Sequence, residues 1–270
     1  MNRFAVVSPN PEVFAETMRI TQLGLAALGH DCVEISEEIA AQTVRRIIFF
    51  GTGFVRRNAP RAGSIIYNME QLTEARIAEM GGAALFERYT VWDYAAANLA
   101  VWHAAGLRSV HVPIGYMPEM QTIERMSHQE VDVLFYGWQS PRRAKVIEDL
   151  RNEGLNVVSF GNVFGAARDA WMARSKIVLS MHFYEDLRIV EAMRVAHCLT
   201  NRVPLVSEDG VGDEEYEGGV AFAPYDKLVE TCLRYLGDEQ LRLELADRGQ
   251  RLMQSKPATE YFRRALNESA

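Results

Sequence analysis

Lys176-Ile-Val-Leu-Ser-Met-His-Phe-Tyr-Glu-Asp-Leu-Arg-Ile-Val-Glu-Ala-Met-Arg194, followed by Asn201-Arg-Val-Pro-Leu-Val-Ser-Glu208, reads as a buried strand, a polar loop, a helix and a second buried strand. Such a unit belongs to a parallel sheet. It sets polar side chains and a helix N-terminus at the carboxyl ends of strands, where open α/β sheets bind ligands.

The same alternation extends in both directions from this stretch. Before it, strand patterns fall at Phe4–Val7, Cys32–Ile35, Arg46–Phe50, Ile65–Tyr67 and Ser109–Val112. Helical patterns fall at Glu12–Ala27, Gln71–Met80 and Ala95–Ala105. Pro113-Ile-Gly-Tyr-Met-Pro118 then breaks the rhythm, and Glu119–Glu130 is polar with no strand signal. A second series follows, with strands at Asp132–Tyr136, Asn156–Phe160, Ile177–Met181, Val203–Ser207 and Val220–Ala223. Its helices are expected at Pro141–Asn152, Ala166–Ala173, Ile189–Thr200, Tyr225–Leu236 and Glu239–Gln254. The expected organisation is an N-terminal Rossmann-like domain over 1–116, a linker over 117–130 and a C-terminal Rossmann-like domain over 131–254. A last helix within 255–270 is read as returning to the first domain. Two such α/β domains are expected to face an interdomain cleft.

The bulk properties narrow the function classes. The 270 residues are 48% hydrophobic and 24% charged, with a formal net charge of -7. A net-acidic chain has no general field for nucleic acid or anionic membrane, so no nucleic-acid partner is expected. Cys32, Cys198 and Cys232 are far apart and lack C-x-x-C spacing, which argues against a zinc site or a disulfide framework. The N-terminus turns polar too soon for a signal peptide, and no apolar run approaches the roughly 20 residues of a membrane span. The expectation is a cytoplasmic protein without integral membrane association, meeting any lipid-linked acceptor only at the membrane surface.

Candidate chemistry clusters at strand ends. In Phe135-Tyr-Gly-Trp-Gln-Ser-Pro-Arg-Arg-Ala-Lys145, Ser140 is placed to cap a helix and Pro141 to open it. Gly137 allows close backbone approach, and the helix N-terminus offers amide donors to an anion. Arg142, Arg143 and Lys145 oppose the helix dipole there, a conflict that a bound phosphate would resolve. A solvated basic face is the alternative, and the sequence does not choose between them. After the strand at 177–181, His182, Phe183 and Tyr184 begin a loop. Arg188, Glu191 and Arg194 follow at i, i+3 spacing, which is either a salt-bridged face or a donor site. In the latter, Glu191 accepts hydrogen bonds from vicinal ribose hydroxyls and Arg188 meets phosphate. In the first half, Glu70 ends a strand and Asp93 precedes a helix; a solvated carboxylate and a helix cap are their plainer roles. Gly51-Thr-Gly53 lacks the third glycine of a dinucleotide fingerprint, so NAD is not expected.

Several phrases in chain order resemble one group of bacterial and viral glycosyltransferase-like proteins of GT-B fold, with a CgeB-like, group 1-like C-terminal donor domain. They are Ile65-Ile-Tyr-Asn-Met-Glu-Gln71, Val91-Trp-Asp-Tyr94, Val112-Pro-Ile-Gly-Tyr116, Asp132-Val-Leu-Phe-Tyr-Gly137, Arg174-Ser-Lys-Ile-Val-Leu179 and Val203-Pro-Leu-Val-Ser-Glu208. The resemblance implies a nucleotide-sugar donor bound by the C-terminal half, an acceptor bound by the N-terminal half, and no required metal or cofactor. It places Gly137, Arg142 and Lys145 at the diphosphate and Glu191 at the ribose. Phe183 stands where the family's Glu-x7-Glu pattern has its first glutamate, and Glu185 is the nearest substitute.

The first expectation is therefore a glycosyltransferase moving a sugar from a nucleoside diphosphate sugar to a hydroxyl acceptor. Phe183 and Tyr184 are available to stack on the base. Asp93, Glu70 and His182 are the candidates for a base toward the acceptor, and the sequence leaves the choice open. The alternatives are a nucleotide-sugar epimerase or hydrolase of the same fold, and a catalytically degenerate nucleotide-sugar-binding protein.

Overall fold

The computed structural model describes residues 2–34 and 46–269. The expected strand end at Ile35 lies outside the described residues. The chain divides into two compact units, one formed by residues 1–117 with 257–270 and the other by Pro118–Lys256.

The first unit holds a six-stranded parallel sheet in the order β2-β1-β3-β4-β5-β6. The strands are β1 Arg3–Val7, β2 Asp31–Glu34, β3 Arg46–Phe50, β4 Ile65–Asn68, β5 Thr90–Asp93 and β6 Ser109–His111. A parallel sheet is covered on both faces, so its strands are apolar on both. Ala5, Val7, Ile47, Phe49, Ile66 and Val91 pack on one face with Ile77, Met80, Phe86 and Trp102. The other face carries a row of ring contacts from Phe14 to Phe50, Tyr67, Trp92 and Phe262, with centroids 5.2–6.1 Å apart. Phe14 lies on α1 (Pro11–Ala27) and Phe262 on the last helix, α11 (Ala258–Glu268). A Cβ at Gly24 of α1 would fall 2.4 Å from the Phe262 ring, so only glycine permits this packing. The short helices α2 (Val55–Asn58), α3 (Glu74–Glu79) and α4 (Ala83–Phe86) and the longer α5 (Ala96–Ala104) complete the unit. α3 starts three residues later than its apolar spacing suggests, because Thr73 caps it by accepting from the Arg76 N–H at 3.1 Å.

The second unit holds a five-stranded parallel sheet in the order β11-β10-β9-β7-β8. Its strands are β7 Val131–Tyr136, β8 Val157–Phe160, β9 Ser175–Ser180, β10 Leu205–Glu208 and β11 Ala221–Ala223. Helices α6 (Pro141–Asn152) and α9 (Leu228–Gly237) cover one face, where Val133, Phe135, Ile177, Leu179 and Val206 meet Val146, Ile147, Leu150, Leu228 and Cys232. Helices α7 (Gly165–Ala173), α8 (Ala192–Thr200) and α10 (Glu239–Gln254) are the rest. Residues 118–130 belong to this unit. The Thr122 and Ile123 amides donate to Asn201 Oδ1 at 2.7 and 2.9 Å, and the Met126 amide donates to Ala173 O at 3.0 Å.

Candidate functional site in the second unit

Strand order reverses between β7 and β9. The chain leaves β7 toward α6 on one face and leaves β9 toward α8, whose Cys198 Sγ lies 3.9 Å from Tyr136 Oη on the other. The two loops diverge from this switch point at the carboxyl edge, the place where open α/β sheets take ligands.

Gly137 ends β7 with φ +140°, a conformation that L side chains rarely adopt. A Cβ there would sit 3.1 Å from Arg194 Nη2. Ser140 then caps α6 by accepting the Arg143 N–H at 3.5 Å, with Pro141 in the first turn. This local geometry was legible in the sequence. The basic residues that follow do not share one role.

Arg143 is buried and ties the two loops together. Its Nη1 donates to Trp138 O at 2.9 Å, its Nε donates to Met181 O at 3.1 Å and His182 O at 3.2 Å, and its Nη2 donates to Met181 O. The guanidinium lies 5.3 Å from the ring centroids of both Phe135 and Phe183. Arg194, on α8, donates to Ser180 Oγ at 2.9 Å and Tyr136 O at 2.8 Å. Its Nε is buried without a hydrogen-bond partner. Burial lowers the Arg143 pKa to about 10, and repulsion from Arg194 adds to that. Glu191, 3.7 Å from Arg143 Nη2, is the carboxylate paired with this cluster, and its side chain is 30% exposed. Two guanidinium charges thus lie close together at the ends of β7 and β9, and Glu191 pairs with one of them.

Arg142 stands differently. Its Nη1 and Nη2 make a bidentate pair with buried Glu208 at 2.8 and 2.6 Å, Nη1 also donates to His182 O at 2.7 Å, and the plane lies 4.2 Å from the Tyr225 centroid. Glu208 also accepts the His182 N–H at 3.0 Å. Burial works to raise the Glu208 carboxyl, yet the bonds from Arg142 and the His182 amide hold it below its ordinary value. Arg142 is therefore neutralised within the protein. Lys145 is exposed and spends its charge on Asp149, one helical turn on, at 2.6 Å. Arg188 pairs with Asp209, and it lies before α8 rather than on its face. The chain is held out of helix there by the Ile189–Val211 bridge, with Val190 N donating to Val211 O at 3.1 Å. Glu191 consequently occupies the N-cap position of α8.

Gly137, Arg142, Phe183 and Glu191 thus gather around Arg143, whereas Lys145 and Arg188 are engaged elsewhere. Tyr184 is 55% exposed and meets Phe183 edge-on at 4.7 Å. His182 is buried with Nε2 2.9 Å from Asp209 O, and its Nδ1 has no partner. Arg194 and Glu208 are site residues to which the sequence reading gave no ligand role. Arg143 it named only as added charge.

The other two candidate bases lie in the first unit. Asp93, at the end of β5, is fully buried and accepts four donors. Oδ1 takes Ala95 N at 2.9 Å and Asn98 Nδ2 at 3.0 Å, and Oδ2 takes Asn68 Nδ2 at 2.8 Å and Trp102 Nε1 at 2.7 Å. Burial pushes its carboxyl up to about 6 against the pull of those donors. With no lone pair facing solvent, Asp93 organises strand ends and is not placed to take a proton from an acceptor. Glu70 accepts the Gly53 N–H at 3.2 Å and Arg76 Nη2 at 3.0 Å, and part of its carboxylate stays exposed. Among the described residues no group of three or more His, Cys, Asp or Glu could hold a metal ion, and no helix is long and apolar enough to cross a membrane.

No protein-family model matches the chain. It is 27% identical over 183 residues to the uncharacterized protein L140 of Acanthamoeba polyphaga mimivirus, a match covering 64% of this chain and 59% of the viral protein. With L138 of the same virus it shares 29% over 176 residues, 62% of this chain and 20% of that protein. The match therefore spans less than two thirds of these relatives' lengths. Among solved structures it resembles Anabaena Alr3699/HepE, determined in complex with UDP-glucose, with a TM-score of 0.69 and 10% identity over 99% of each chain. The DNA-modifying enzyme β-glucosyltransferase, solved with and without uridine diphosphoglucose, gives 0.63 and 11% over 98% of this chain and 99% of that one. AviGT4, a glycosyltransferase of avilamycin A biosynthesis, gives 0.59 and 15% over 100% and 97%. With its two parallel sheets of six and five strands, the chain has the α/β fold of the GT-B glycosyltransferases.

Proposed function

We propose that the protein is a glycosyltransferase that draws its sugar from a nucleoside diphosphate donor held at the β7/β9 switch point and passes it to a hydroxyl acceptor. One observation carries this reading: buried Arg143 and partly buried Arg194, whose Nε is buried without a partner, stand together at the switch point, and the partly exposed Glu191 is the carboxylate beside Arg143. Uncompensated buried charge is costly, and an anion at the switch point offsets it. A diphosphate suits the place, since Gly137 clears the approach and the N-terminus of α6 adds its dipole. Glu191, at the α8 N-cap, is left for the ribose hydroxyls, and the Phe183–Tyr184 pair for the base.

As the glycosidic bond breaks, negative charge grows on the departing diphosphate. Arg143 and Arg194 are fixed by their bonds to main-chain and serine oxygens, so their field needs no reorganisation to meet that charge. The reading involves no metal. Arg142 supports the site through Glu208 and the His182 loop, and Lys145 takes no part. Of the three candidate bases, Glu70 keeps a partly exposed carboxylate and is retained as the acceptor-side candidate. The burial of Asp93 and His182 favours, as a second reading, a nucleotide-sugar-binding protein without turnover.

Thermal stabilisation by pyrophosphate, UDP, GDP, ADP and dTDP tests the donor site, because a ligand bound to the native state raises its apparent stability. A nucleoside diphosphate shift abolished in Arg143→Met and Glu191→Ala, and kept in Lys145→Ala, is expected. No shift with any of the five would overturn the reading. Product analysis with the matching sugar nucleotide then separates transfer from binding alone.

A further inference from the structure

The four tryptophans differ in one respect. Trp92 contacts Tyr67 and Phe262, Trp102 contacts Phe86, and Trp171 contacts Phe160 and Arg174. Trp138 is 65% exposed, and its indole has no ring or cation–π partner among the described residues. Yet its backbone is closely held. The Gly137 amide donates to Phe160 O at 2.9 Å, Trp138 O accepts from Arg143 Nη1 at 2.9 Å, Gln139 Nε2 donates to Ser159 Oγ at 2.6 Å, and Ser140 caps α6. The loop keeps its shape through bonds in which the indole has no share. A large aromatic side chain left in water on a rigid loop beside a charged switch point has the character of a ligand platform.

Its neighbours narrow which part of a ligand it meets. Trp138 and Glu191 both adjoin one guanidinium: the Trp138 backbone oxygen accepts from Arg143 Nη1, and the Glu191 carboxylate lies 3.7 Å from Nη2. With the ribose at Glu191 and the diphosphate beside Arg143, the end of the donor remote from the nucleoside is left for the exposed indole of Trp138. We propose that the Trp138 indole stacks on the apolar C–H face of the donor's pyranose ring and sets the affinity for the sugar moiety. This rests on the donor reading given above and adds to it a residue that discriminates sugar nucleotide from bare nucleotide.

The test compares dissociation constants for UDP and UDP-glucose, and for GDP and GDP-mannose, in the wild type, Trp138→Ala and Trp138→Phe. Trp138→Ala is expected to leave the nucleoside diphosphate constant within about twofold and to weaken the sugar nucleotide by about tenfold, a stacking contact's worth. Trp138→Phe should recover most of that loss. Equal weakening of both ligands would overturn the proposal by placing the indole at the base or phosphate, and so would unchanged affinity for both. If the wild type binds none of UDP, GDP, ADP and dTDP, the donor reading itself fails; if it binds only ADP or dTDP, the same comparison is made with that nucleotide and its glucose derivative. The ring's exposure means that Trp138→Ala leaves no cavity, and a melting temperature matched to the wild type verifies this.

Discussion

Replacing Asp93 by Asn is nearly isosteric, yet the structure assigns it a large cost. Each carboxylate oxygen accepts two donors, Ala95 N and Asn98 Nδ2 at Oδ1, and Asn68 Nδ2 and Trp102 Nε1 at Oδ2. Whichever way the new amide turns, its NH2 faces two of those four donors, and both stay buried and unsatisfied. At about 1–3 kcal/mol for each such group, Asp93→Asn should lose about 2–6 kcal/mol. The damage should reach the neighbouring loop. Asn68 and Asn98 also donate to Glu70 O at 2.8 and 2.9 Å, and Asn68 Oδ1 accepts from Thr52 Oγ1 at 2.7 Å. Urea unfolding at pH 7.5, above the raised value of about 6, measures the ionised form. Fluorescence in a Trp138→Phe, Trp171→Phe background would report on Trp92 and Trp102, both in the first unit. A loss below about 1 kcal/mol, with sugar transfer abolished, would refute the structural role and return Asp93 to the list of catalytic bases.

Arg142→Met should destabilise the second unit by about 3–5 kcal/mol by stranding buried Glu208, and the Arg142→Met, Glu208→Met pair should recover most of that in the same urea assay. The Glu208 carboxyl is held below its ordinary value, so its contribution is complete above the unfolded value near pH 4.3 and is lost as pH falls through the lower folded value. The stability gap between wild type and Glu208→Gln should accordingly narrow only on acidification below about pH 4.3, as read from denaturation at stepped pH. Lys145→Ala should leave the urea midpoint at the wild-type value, since it removes one exposed i, i+4 pair with Asp149.

The fold was open to sequence reading because its elements carry local signals. Ile177–Leu179 is a continuous apolar run buried on both faces, and Ser140-Pro141 opens a helix by capping chemistry that needs no tertiary context. α8 starts three residues later than the sequence pattern suggests because the Ile189–Val211 bridge, a contact with a distant loop, holds the preceding residues out of the helix. The charges were harder. Arg142, Arg143 and Lys145 look alike as a basic cluster, and the helical phase that separates them was present but unused. Arg143 lies three, four and seven residues before the buried Val146, Ile147 and Leu150, whereas Lys145 shares its turn with Asp149 on the wet face. Glu208 closed a strand whose pattern said only that it was buried. Its pairing with Arg142, 66 residues away, exists only once β10 lies beside β9. The same is true of Asp93, whose role depends on Asn68, Asn98 and Trp102 converging from β4 and α5.

The return of α11 to the first unit has a consequence for synthesis. Phe262 and Ser269 contact Trp92, and the Ala258 amide donates to Tyr116 O at 3.0 Å, so the first unit is sewn shut by a segment translated after the whole of the second. Residues 118–256 form one uninterrupted stretch that can collapse as it leaves the ribosome. The earlier-made unit must meanwhile wait with Gly24 and the Trp92 face uncovered. On a nascent chain, the part made first is the part finished last.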